Sequence, residues 1–421
     1  MTRELGSDPG DLGRDATRME TVVIGAGQAG LATGFHLARR GRDFVILDAG
    51  ERVGDNWRCH WDSLRLYSPA RTAALPGMRF PAPSMSYPTK DEMADFLETY
   101  ASTFGLPVRA GVRVSRLSRQ DGKYVVTTDG SSLVCDNVVV ATGTFGRTPY
   151  LPDFAGELDP AIVQLHSSAY KNPAQLQPGG VLVVGASHSG GDIAFEAGGA
   201  GHPTVLSGPI HGQVPFDIEA RPAHVIFPIL FLVAKHLLTI RTPLGRKIRP
   251  EVRAHGGPLI RVKRDDLARV GVEMAPARTV GVRDGLPVLD GGRALDVANV
   301  VWCTGFQQDF SWIDPPVTGS DGWPVEVRGV VPSSPGLYFA GLAFQYGFAS
   351  MLVGGAGRDA AYVVKHLCAR PPGARRTPAA RRIDSVLGAP ADGRIGGQGA
   401  PEEPPSDRFG ESPTIDHVSS S

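Results

Sequence analysis

The sequence predicts an α/β protein whose parallel strands are buried on both faces. Short runs rich in β-branched residues alternate along the chain with segments of helical periodicity. Continuous apolar runs of this kind are what a parallel sheet requires when helices cover both of its faces, because neither face of such a strand meets water. Seven runs have this character: TVVIGA, DFVILD, NVVVATG, VLVVGA, PTVLSG, NVVWCTG and GLYFAG.

Two stretches of more alternating character predict antiparallel strands. The first, VRVSRLSRQDGKYVVTTDGSSLVCDNVVVATG, contains the dipeptides Asp121-Gly122 and Asp129-Gly130, which favour the tight turns of a β-meander. The second, VRDGLPVLDGGRALDVANVVWCTG, repeats this arrangement later in the chain. The two halves of the chain therefore share one outline, in which a meander leads to a strand ending in Ala-Thr-Gly or Cys-Thr-Gly.

The first half opens on a turn with the spacing of a dinucleotide-binding fingerprint. The strand TVVI is followed by Gly25-Ala26-Gly27-Gln28-Ala29-Gly30 and then by an amphipathic segment. Glycines at these positions allow close approach of the backbone to a pyrophosphate, and a helix N-terminus favours an anion by roughly 0.3–2 kcal/mol. The next strand ends in Asp48, 23 residues after Gly25, where a carboxylate accepts from ribose hydroxyls. We predict a dinucleotide site; the alternative is a tight turn that binds nothing.

The second half contains a similar turn, Gly185-Ala186-Ser187-His188-Ser189-Gly190. It departs from the fingerprint at Ser187, whose side chain either displaces a pyrophosphate outward or supplies a hydroxyl donor. His188 can donate to phosphate when protonated, and a solvent-facing spacer is the alternative for this residue. The next strand ends at Ser207 with neither a carboxylate nor an arginine, and the missing acid favours NADP(H) over NAD(H). The sequence predicts a second, looser dinucleotide site, with a purely structural turn as the alternative.

Composition argues against several function classes. The 43 lysine and arginine residues balance 43 aspartate and glutamate residues, so no overall field attracts nucleic acid or an anionic membrane. The four cysteines lie far apart, which predicts neither a CxxC redox pair nor a zinc site. The N-terminal residues lack the apolar core of a signal peptide, and a cytoplasmic location is expected.

The length of 421 residues suggests two or three domains. We predict a first domain over residues 20–175 that resumes at 295–368, and a second domain over residues 176–294. Residues 1–19 and 369–421 are predicted to be disordered tails, because they are too polar to bury enough apolar surface to offset the entropy of ordering.

One apolar stretch, from His224 to Ile240, is interrupted by Pro228, Lys235 and His236. It is shorter than the roughly 20 apolar residues that a membrane span needs. A helix that packs over a buried site or lines an apolar pocket is the favoured interpretation. Peripheral contact with lipid is the alternative and is not expected.

Two dinucleotide turns on one chain suit a tightly held flavin and a diffusible nicotinamide, between which a hydride passes. Over Thr21 to Leu367 the sequence resembles the class B flavin-dependent monooxygenases, and in motif order the plant YUCCA-type enzymes that oxidise indole-3-pyruvate. The resemblance is carried by WDSLRLYSPARTAALPG, FPAPSMSYPTKDEMADFLETYASTF, VVVATGTFGRTPYLP, HSSAYKN, VLVVGASHSGGDIA, VVWCTGF and GLYFAGLAFQYGFASMLVGGAGRDA.

The resemblance implies two Rossmann-like dinucleotide-binding domains, one for FAD and one for NADP(H), each with an inserted β-meander. It implies FAD at the first turn and Asp48, with Trp57 in the segment GDNW, and NADPH at the second turn. It further implies that reduced flavin and O2 form a C4a-hydroperoxide, which gives one oxygen atom to a small organic substrate and the other to water. The remaining positions predicted to contact a cofactor are Thr142, Gly143, Gly305 and Gly341, together with Ser207.

Two side chains are predicted to have catalytic roles. Tyr67 stands where animal members of the family have an asparagine near the flavin, and it is our candidate hydrogen-bond donor there; a packed tyrosine is the alternative. The family's linker fingerprint survives as His166, Tyr170 and Lys171. His166 either orients the nicotinamide or bridges the domain linker.

Three functions follow from these predictions. The favoured one is a monooxygenase that uses NADPH and O2. The second is an NADPH oxidase or reductase that oxygenates nothing, and the third is a flavin or nucleotide sensor without turnover.

Overall fold

The computed structural model describes residues 17–144 and 148–370, and apart from a few residues at their inner ends the two predicted tails lie outside these ranges. The strands are β1 (Thr17–Ile24), β2 (Phe44–Leu47), β3 (Val108–Arg109), β4 (Val114–Gln120), β5 (Lys123–Thr128), β6 (Ser132–Val140), β7 (Thr148–Pro149), β8 (Val163–His166), β9 (Val181–Val184), β10 (Thr204–Ser207), β11 (Glu273–Ala275), β12 (Thr279–Arg283), β13 (Leu286–Leu289), β14 (Asn299–Trp302), β15 (Phe306–Gln307) and β16 (Leu337–Phe339). The helices are α1 (Gln28–Ala38), α2 (Asp55–Arg58), α3 (Lys90–Thr103), α4 (His188–Gly199), α5 (Ala223–His236), α6 (Pro243–Ala254), α7 (Arg264–Arg269) and α8 (Val353–Cys368).

The first sheet has the order β3-β2-β1-β6-β5-β4, and β16 also pairs with β6. Its strands β2, β1, β6 and β16 are parallel, whereas β4, β5 and β6 form the predicted antiparallel meander. Asp121 and Gly122 have φ of 49° and 79° between β4 and β5, as a two-residue hairpin turn requires. β1 begins earlier than the predicted tail allowed, because Thr17 already pairs with Leu133 of β6.

The second sheet has the order β11-β10-β9-β14-β8, and all of its paired strands are parallel. The hairpin β12–β13 forms a separate two-stranded sheet, whose turn residues Asp284 and Gly285 have φ of 52° and 76°. The predicted α/β class is confirmed, with parallel strands in both sheets, and the second antiparallel element is a hairpin beside the second sheet.

The predicted domain boundaries at residues 175 and 295 cut through the second sheet. β8 precedes the first boundary and β14 follows the second, yet β14 lies between β9 and β8. The strand of NVVWCTG, which the predicted boundaries place in the first domain, therefore pairs in the second sheet, whereas that of NVVVATG pairs in the first. Each of these strands instead ends at the glycine-rich turn of its own sheet.

Both faces of the first sheet are covered. Val22 and Val23 are neighbours on β1 and both fully buried, and they belong to hydrophobic cores on opposite faces. Helices α1, α3 and α8 supply one of these cores, and the meander supplies much of the other. The second sheet is likewise packed on both sides, with α4 and α7 on one of them.

Helix starts differ in a way that matters for the site. α3 begins at Thr89 with a capping box, in which Thr89 and Glu92 satisfy each other's backbone N–H groups. α1 and α4 begin at Gly27 and Ser187 without a side-chain cap and without an acidic residue in the first turn. Both helices therefore present uncapped N–H groups next to their glycine-rich turns.

The apolar stretch from His224 to Ile240 forms most of α5 and the turn after it. In the described residues, no helix combines the length and the hydropathy needed to cross a bilayer. The favoured interpretation, a helix that packs over a buried site or lines an apolar pocket, does not account for the outer face of α5. Ala223 and Ala234 are buried, but Val225, Ile229 and Leu232 are exposed.

Candidate functional site

The first turn, between β1 and α1, has the backbone that a phosphate cradle needs. Gly25 has a φ of 107°, and a Cβ there would lie 2.5 Å from the Ala141 carbonyl oxygen. A Cβ on Gly30 would lie 1.8 Å from the carbonyl oxygen of Gly25, so neither position accepts another residue. A Cβ on Gly27 would make only an ordinary contact, 3.7 Å from Asn56 Nδ2, so the position in front of the uncapped end of α1 is uncrowded.

Asp48 fixes this turn to the end of β2. Its Oδ2 accepts from the Ala26 N–H at 2.5 Å, and its Oδ1 accepts from the Gly50 N–H at 2.8 Å. A carboxylate has about four lone-pair sites, so these two bonds leave acceptor capacity for ribose hydroxyls. The structure thus gives Asp48 a role in holding the turn beside the role predicted from its spacing.

Other predicted positions lie close to the first turn. A Cβ on Gly341, just after β16, would lie 2.6 Å from Ala29 Cβ, and the Thr142 nitrogen would lie 3.3 Å from a Cβ on Gly25. Gly143 follows directly and has a φ of 77°. These segments approach the turn from two strands of the first sheet, and they bring together Gly25–Gly30, Thr142, Gly143 and Gly341.

Trp57 lies between the two halves of the molecule. Its ring packs against core residues of both sheets. Its Nε1–H is buried, and no described residue accepts a hydrogen bond from it. Because buried donors are nearly always paired, this N–H is available to a ligand atom.

The second turn, between β9 and α4, repeats the backbone of the first. Gly185 has a φ of 109°, and a Cβ there would lie 2.3 Å from the Cys303 carbonyl oxygen. A Cβ on Gly190 would lie 1.8 Å from the carbonyl oxygen of Gly185. The N–H groups of Ser189 and its neighbours, in the first turn of α4, belong to the uncapped helix start.

Two glycines in the loop before α7 make room for the side chains that depart from the fingerprint. A Cβ on Gly256 would lie 2.8 Å from Ser187 Cβ, and one on Gly257 would lie 3.2 Å from His188 Nδ1. The Ser187 and His188 side chains therefore lie against this loop. Burial lowers the pKa of His188 to about 4, so its ring is neutral near pH 7 and the predicted donation from a protonated His188 is not supported.

Tyr67 contacts the second turn. Its ring packs edge-on against His188 at a centroid distance of 4.9 Å, and its hydroxyl donates to Asp192 Oδ2 at 2.7 Å. Arg261 lies with its guanidinium carbon 5.8 Å from the Tyr67 ring centroid. We call Tyr67, His188, Asp192 and Arg261 the polar cluster. It joins the segment before α3 to the first turns of α4.

Asp192 is, with Arg261, one of the two members of this cluster that were not predicted from the sequence. Burial raises its pKa to about 6, although the bond from Tyr67 lowers it. Its Oδ1 is buried and meets no hydrogen-bond donor in the described part of the chain. The available signal was a carboxylate in GGDIA, one helical turn after His188, among residues that are otherwise small or apolar.

His166 connects β8 to the segment after β14. Its Nδ1 accepts from the Ser168 N–H at 3.1 Å, and its Nε2 donates to the Gly305 carbonyl at 3.0 Å. Burial lowers the pKa of His166, which keeps the ring neutral. With both ring nitrogens occupied, the geometry favours the linker-bridging alternative over contact with a nicotinamide, and Gly305 acts here through its carbonyl.

Ser207, the last residue of β10, supports the second turn through its backbone. Its carbonyl accepts from the Gly185 N–H at 2.9 Å, and its hydroxyl is fully buried 2.8 Å from Thr279 Oγ1. The hydroxyl therefore points into the protein, and a predicted contact between this side chain and a ribose is not supported.

All four cysteines are described and none forms a disulfide. Cys135 and Cys303 are buried, and burial raises the pKa of both thiols. Cys59 is exposed and Cys368 half-buried. These four cysteines therefore form no dithiol pair in the structure.

Comparison with known proteins assigns the family. The profile of the pyridine nucleotide-disulphide oxidoreductase family matches residues 22–212. An uncharacterized CzcO-like oxidoreductase of Geobacillus kaustophilus (strain HTA426) is 38% identical over 350 residues, which cover 83% of this chain and 98% of that protein. The indole-3-pyruvate monooxygenase YUCCA1 of Oryza sativa subsp. japonica is 32% identical over 196 residues, covering 46% of this chain and 48% of the plant protein.

Solved structures of similar fold point to the same family. A flavin-containing monooxygenase from Stenotrophomonas maltophilia matches with a TM-score of 0.66 at 26% identity, covering 84% of this chain and 99% of that one. OTEMO, in complex with FAD and NADP, matches with a TM-score of 0.60 at 15% identity over 84% of this chain and 86% of that one, a likeness of fold alone. The two glycine-rich turns of this chain have nearly the same backbone geometry. Together with these similarities, they identify the chain as an oxidoreductase that belongs to the class B flavin-dependent monooxygenase family.

Proposed function

We propose that this enzyme binds FAD at the first turn and NADPH at the second, and that it uses O2 to insert one oxygen atom into a small organic substrate. The observation that carries this proposal is the Tyr67–Asp192 hydrogen bond of 2.7 Å. It ties the segment between the two cores to the helix that begins at the second turn. The segment that carries Tyr67 is therefore fixed to the helix whose start would hold NADPH.

The residues around the first turn fit FAD. The uncrowded position of Gly27, the uncapped start of α1 and the remaining acceptor sites of Asp48 suit a diphosphate and a ribose. The unpartnered Nε1–H of Trp57 suits an acceptor on the cofactor. We therefore place FAD on the first sheet.

The residues around the second turn fit a nicotinamide dinucleotide. Ser187 and His188 lie against Gly256 and Gly257, which keeps their side chains close to that loop. β10 ends without a carboxylate, and a 2′-phosphate meets no acidic side chain at that strand end. These features support NADP(H) over NAD(H), held on the second sheet.

When bound, FAD and NADPH supply the redox chemistry, and the protein positions and desolvates the reacting groups. In the polar cluster, the Tyr67 hydroxyl is already committed to Asp192 Oδ2. Asp192 Oδ1 is the acceptor that is left for a ligand. Because the pKa of this carboxyl is about 6, it can hold or release a proton near neutral pH at that atom.

The test is a screen of NADPH oxidation with isotope-labelled O2 over ketones, amines, sulfides and 2-oxo acids, with peroxide measured in parallel. We expect one substrate class to give one labelled oxygen atom in the product for each NADPH consumed, with little peroxide. Peroxide equal to NADPH consumption for every class would identify an oxidase instead. A protein that binds both cofactors and consumes no NADPH would be a sensor.

A further inference from the structure

The segment from Ala220 to Pro250 has charge of a single sign. It contains six lysine and arginine residues and no aspartate or glutamate, in a chain whose 43 basic and 43 acidic residues balance. This segment forms α5, the following turn and most of α6. The overall balance of charge therefore conceals a local basic region.

α5 presents its apolar residues outward. Val225, Ile229 and Leu232 recur at helical spacing on one face and are 68%, 58% and 59% exposed. The inner face packs through Phe227, whose ring lies 6.1 Å from that of Tyr87. A surface helix normally turns its apolar stripe toward the core, so the outer face of α5 lacks a partner in the described structure.

Exposed apolar side chains are concentrated here. Six of the eleven most exposed large hydrophobic residues in the described ranges belong to this one segment. Monomeric proteins rarely expose large apolar patches unless these contact a partner. We call these six residues the apolar patch: Val225, Ile229, Leu230, Leu232, Leu237 and Leu244.

Exposed cations flank the apolar patch. Arg221 precedes α5, Arg241 follows it, and Arg246 and Lys247 lie in the first half of α6; all four are exposed. Arg249 is different, because it pairs with the buried carboxylate of Glu326 at 2.9 Å. An apolar helical face with exposed lysines and arginines around it is the pattern of a helix that lies in a membrane interface.

We propose that α5 and the first half of α6 dock this enzyme peripherally on an anionic lipid surface. A second copy of the chain is a poorer partner, because a symmetric contact through the patch would bring basic residues against basic residues. Anionic headgroups neutralise these cations while the acyl region accepts the leucines. The proposal does not depend on which substrate the enzyme oxidises.

The experiment is flotation of the full-length protein with phosphatidylcholine vesicles, with and without phosphatidylglycerol. We expect the bound fraction to be several-fold higher with phosphatidylglycerol and to fall at high salt. Leu232→Glu should lower binding about tenfold, because it places a carboxylate in the buried part of the contact. Lys247→Glu, which leaves the apolar patch intact, should lower binding to phosphatidylglycerol vesicles specifically.

Val280→Glu is the matched control, because Val280 lies on β12 outside the patch and is 53% exposed. It adds the same charge and should leave binding unchanged; an equal loss in Val280→Glu and Leu232→Glu would overturn the proposal. So would a wild-type protein that binds neither vesicle, or both equally. Sedimentation of the wild type as a dimer that Leu232→Glu dissociates, with no vesicle binding, would assign the patch to a second copy.

Discussion

The two glycine-rich turns have nearly the same backbone but different side-chain support. Gly25 and Gly185 have φ of 107° and 109°. In each turn, a Cβ added to the last glycine would lie 1.8 Å from the carbonyl oxygen of the first glycine. In both turns the first glycine also donates its N–H to the end of the neighbouring strand, at 2.7 Å for Gly25 and 2.9 Å for Gly185. The outer glycines are therefore fixed by contacts between backbone atoms.

The middle position follows a different rule. Gly27 is uncrowded, because a Cβ there would lie 3.7 Å from Asn56 Nδ2, whereas the Ser187 side chain lies against Gly256 in a distant loop. The first turn is in addition held by the carboxylate of Asp48, and the second has no such anchor, because the Ser207 hydroxyl turns away to Thr279. A serine is tolerated in the middle of the second turn because a glycine elsewhere in the chain makes room for it.

The largest expected effect comes from adding a methyl group to the last glycine of either turn. Gly30→Ala should abolish flavin retention, and Gly190→Ala should retain flavin but slow its reduction by NADPH about 100-fold or more, because each Cβ would collide with a carbonyl oxygen at 1.8 Å. Flavin absorbance and NADPH titration measure the two effects.

The control is Gly199→Ala in α4, where an added Cβ meets nothing within 4 Å. It should behave as the wild type. Flavin retained by Gly190→Ala reports that the first half of the molecule is folded. If both alanine variants bound both cofactors normally, the shared backbone would not be what holds the phosphates.

The next largest effect distinguishes Asp48, at the end of β2, from Ser207, at the end of β10. Asp48→Ala leaves the N–H groups of Ala26 and Gly50 without their acceptor, and a hydrogen bond to a charged group contributes about 1.5–3 kcal/mol. Flavin affinity should therefore fall at least about tenfold. Ser207→Ala should cost about 1 kcal/mol of stability and leave NADPH affinity unchanged, because its hydroxyl bonds Thr279. If Ser207→Ala lowered NADPH affinity as much as Asp48→Ala lowers flavin affinity, the proposed difference between the two strand ends would be contradicted.

A third effect depends on pH and concerns the polar cluster. The pKa of Asp192 is raised from 3.8 to about 6, so the folded protein binds this proton more tightly than the unfolded chain does. The free energy of unfolding of the wild type should consequently decrease as the pH rises from 3.8 to about 6. Asp192→Asn should not show that decrease, because its side chain does not titrate. We expect the variant to gain up to about 3 kcal/mol relative to wild type above pH 6.

Urea denaturation near pH 4 and above pH 7 measures this difference, with Tyr67→Phe as the companion variant. Tyr67→Phe removes the bond that lowers the Asp192 pKa, and it should move the pH window upward. A stability difference between Asp192→Asn and wild type that does not change with pH would show that Asp192 has the same pKa in the folded and unfolded chain.

The smallest effect is expected for Ser187→Gly, which restores the fingerprint in the second turn. The side chain lies against Gly256, so removing it should change the KM for NADPH by no more than about threefold. The reciprocal Gly27→Ser should weaken FAD binding more strongly, since its side chain would lie near Asn56, next to the uncapped start of α1. A tenfold change in KM from Ser187→Gly would mean that Ser187 itself contacts the cofactor.

The features predicted well from the sequence are those set by neighbouring residues. The parallel strands, the Asp121-Gly122 hairpin and both glycine-rich turns follow from apolar runs and from backbone conformations that glycine favours. The placement of β14 did not follow, because two strands with nearly the same sequence pair in different sheets. Local pattern does not encode which of several similar strands lies next to which.

The polar cluster and the exposed face of α5 were not predicted from the sequence, for related reasons. Tyr67 and Asp192 are 125 residues apart, so their hydrogen bond could not be read from spacing. The apolar composition of α5 suggested burial, yet periodicity alone does not say whether an apolar stripe faces inward or outward. Both features depend on contacts between distant parts of the chain.

The central claim is that the two turns hold two different redox cofactors close enough to exchange electrons. Anaerobic rapid mixing of the flavin-loaded enzyme with NADPH tests it most directly. We expect the oxidised-flavin absorbance to bleach in the wild type and to persist in Gly190→Ala. A wild-type flavin that stays oxidised while NADPH is demonstrably bound would contradict the account.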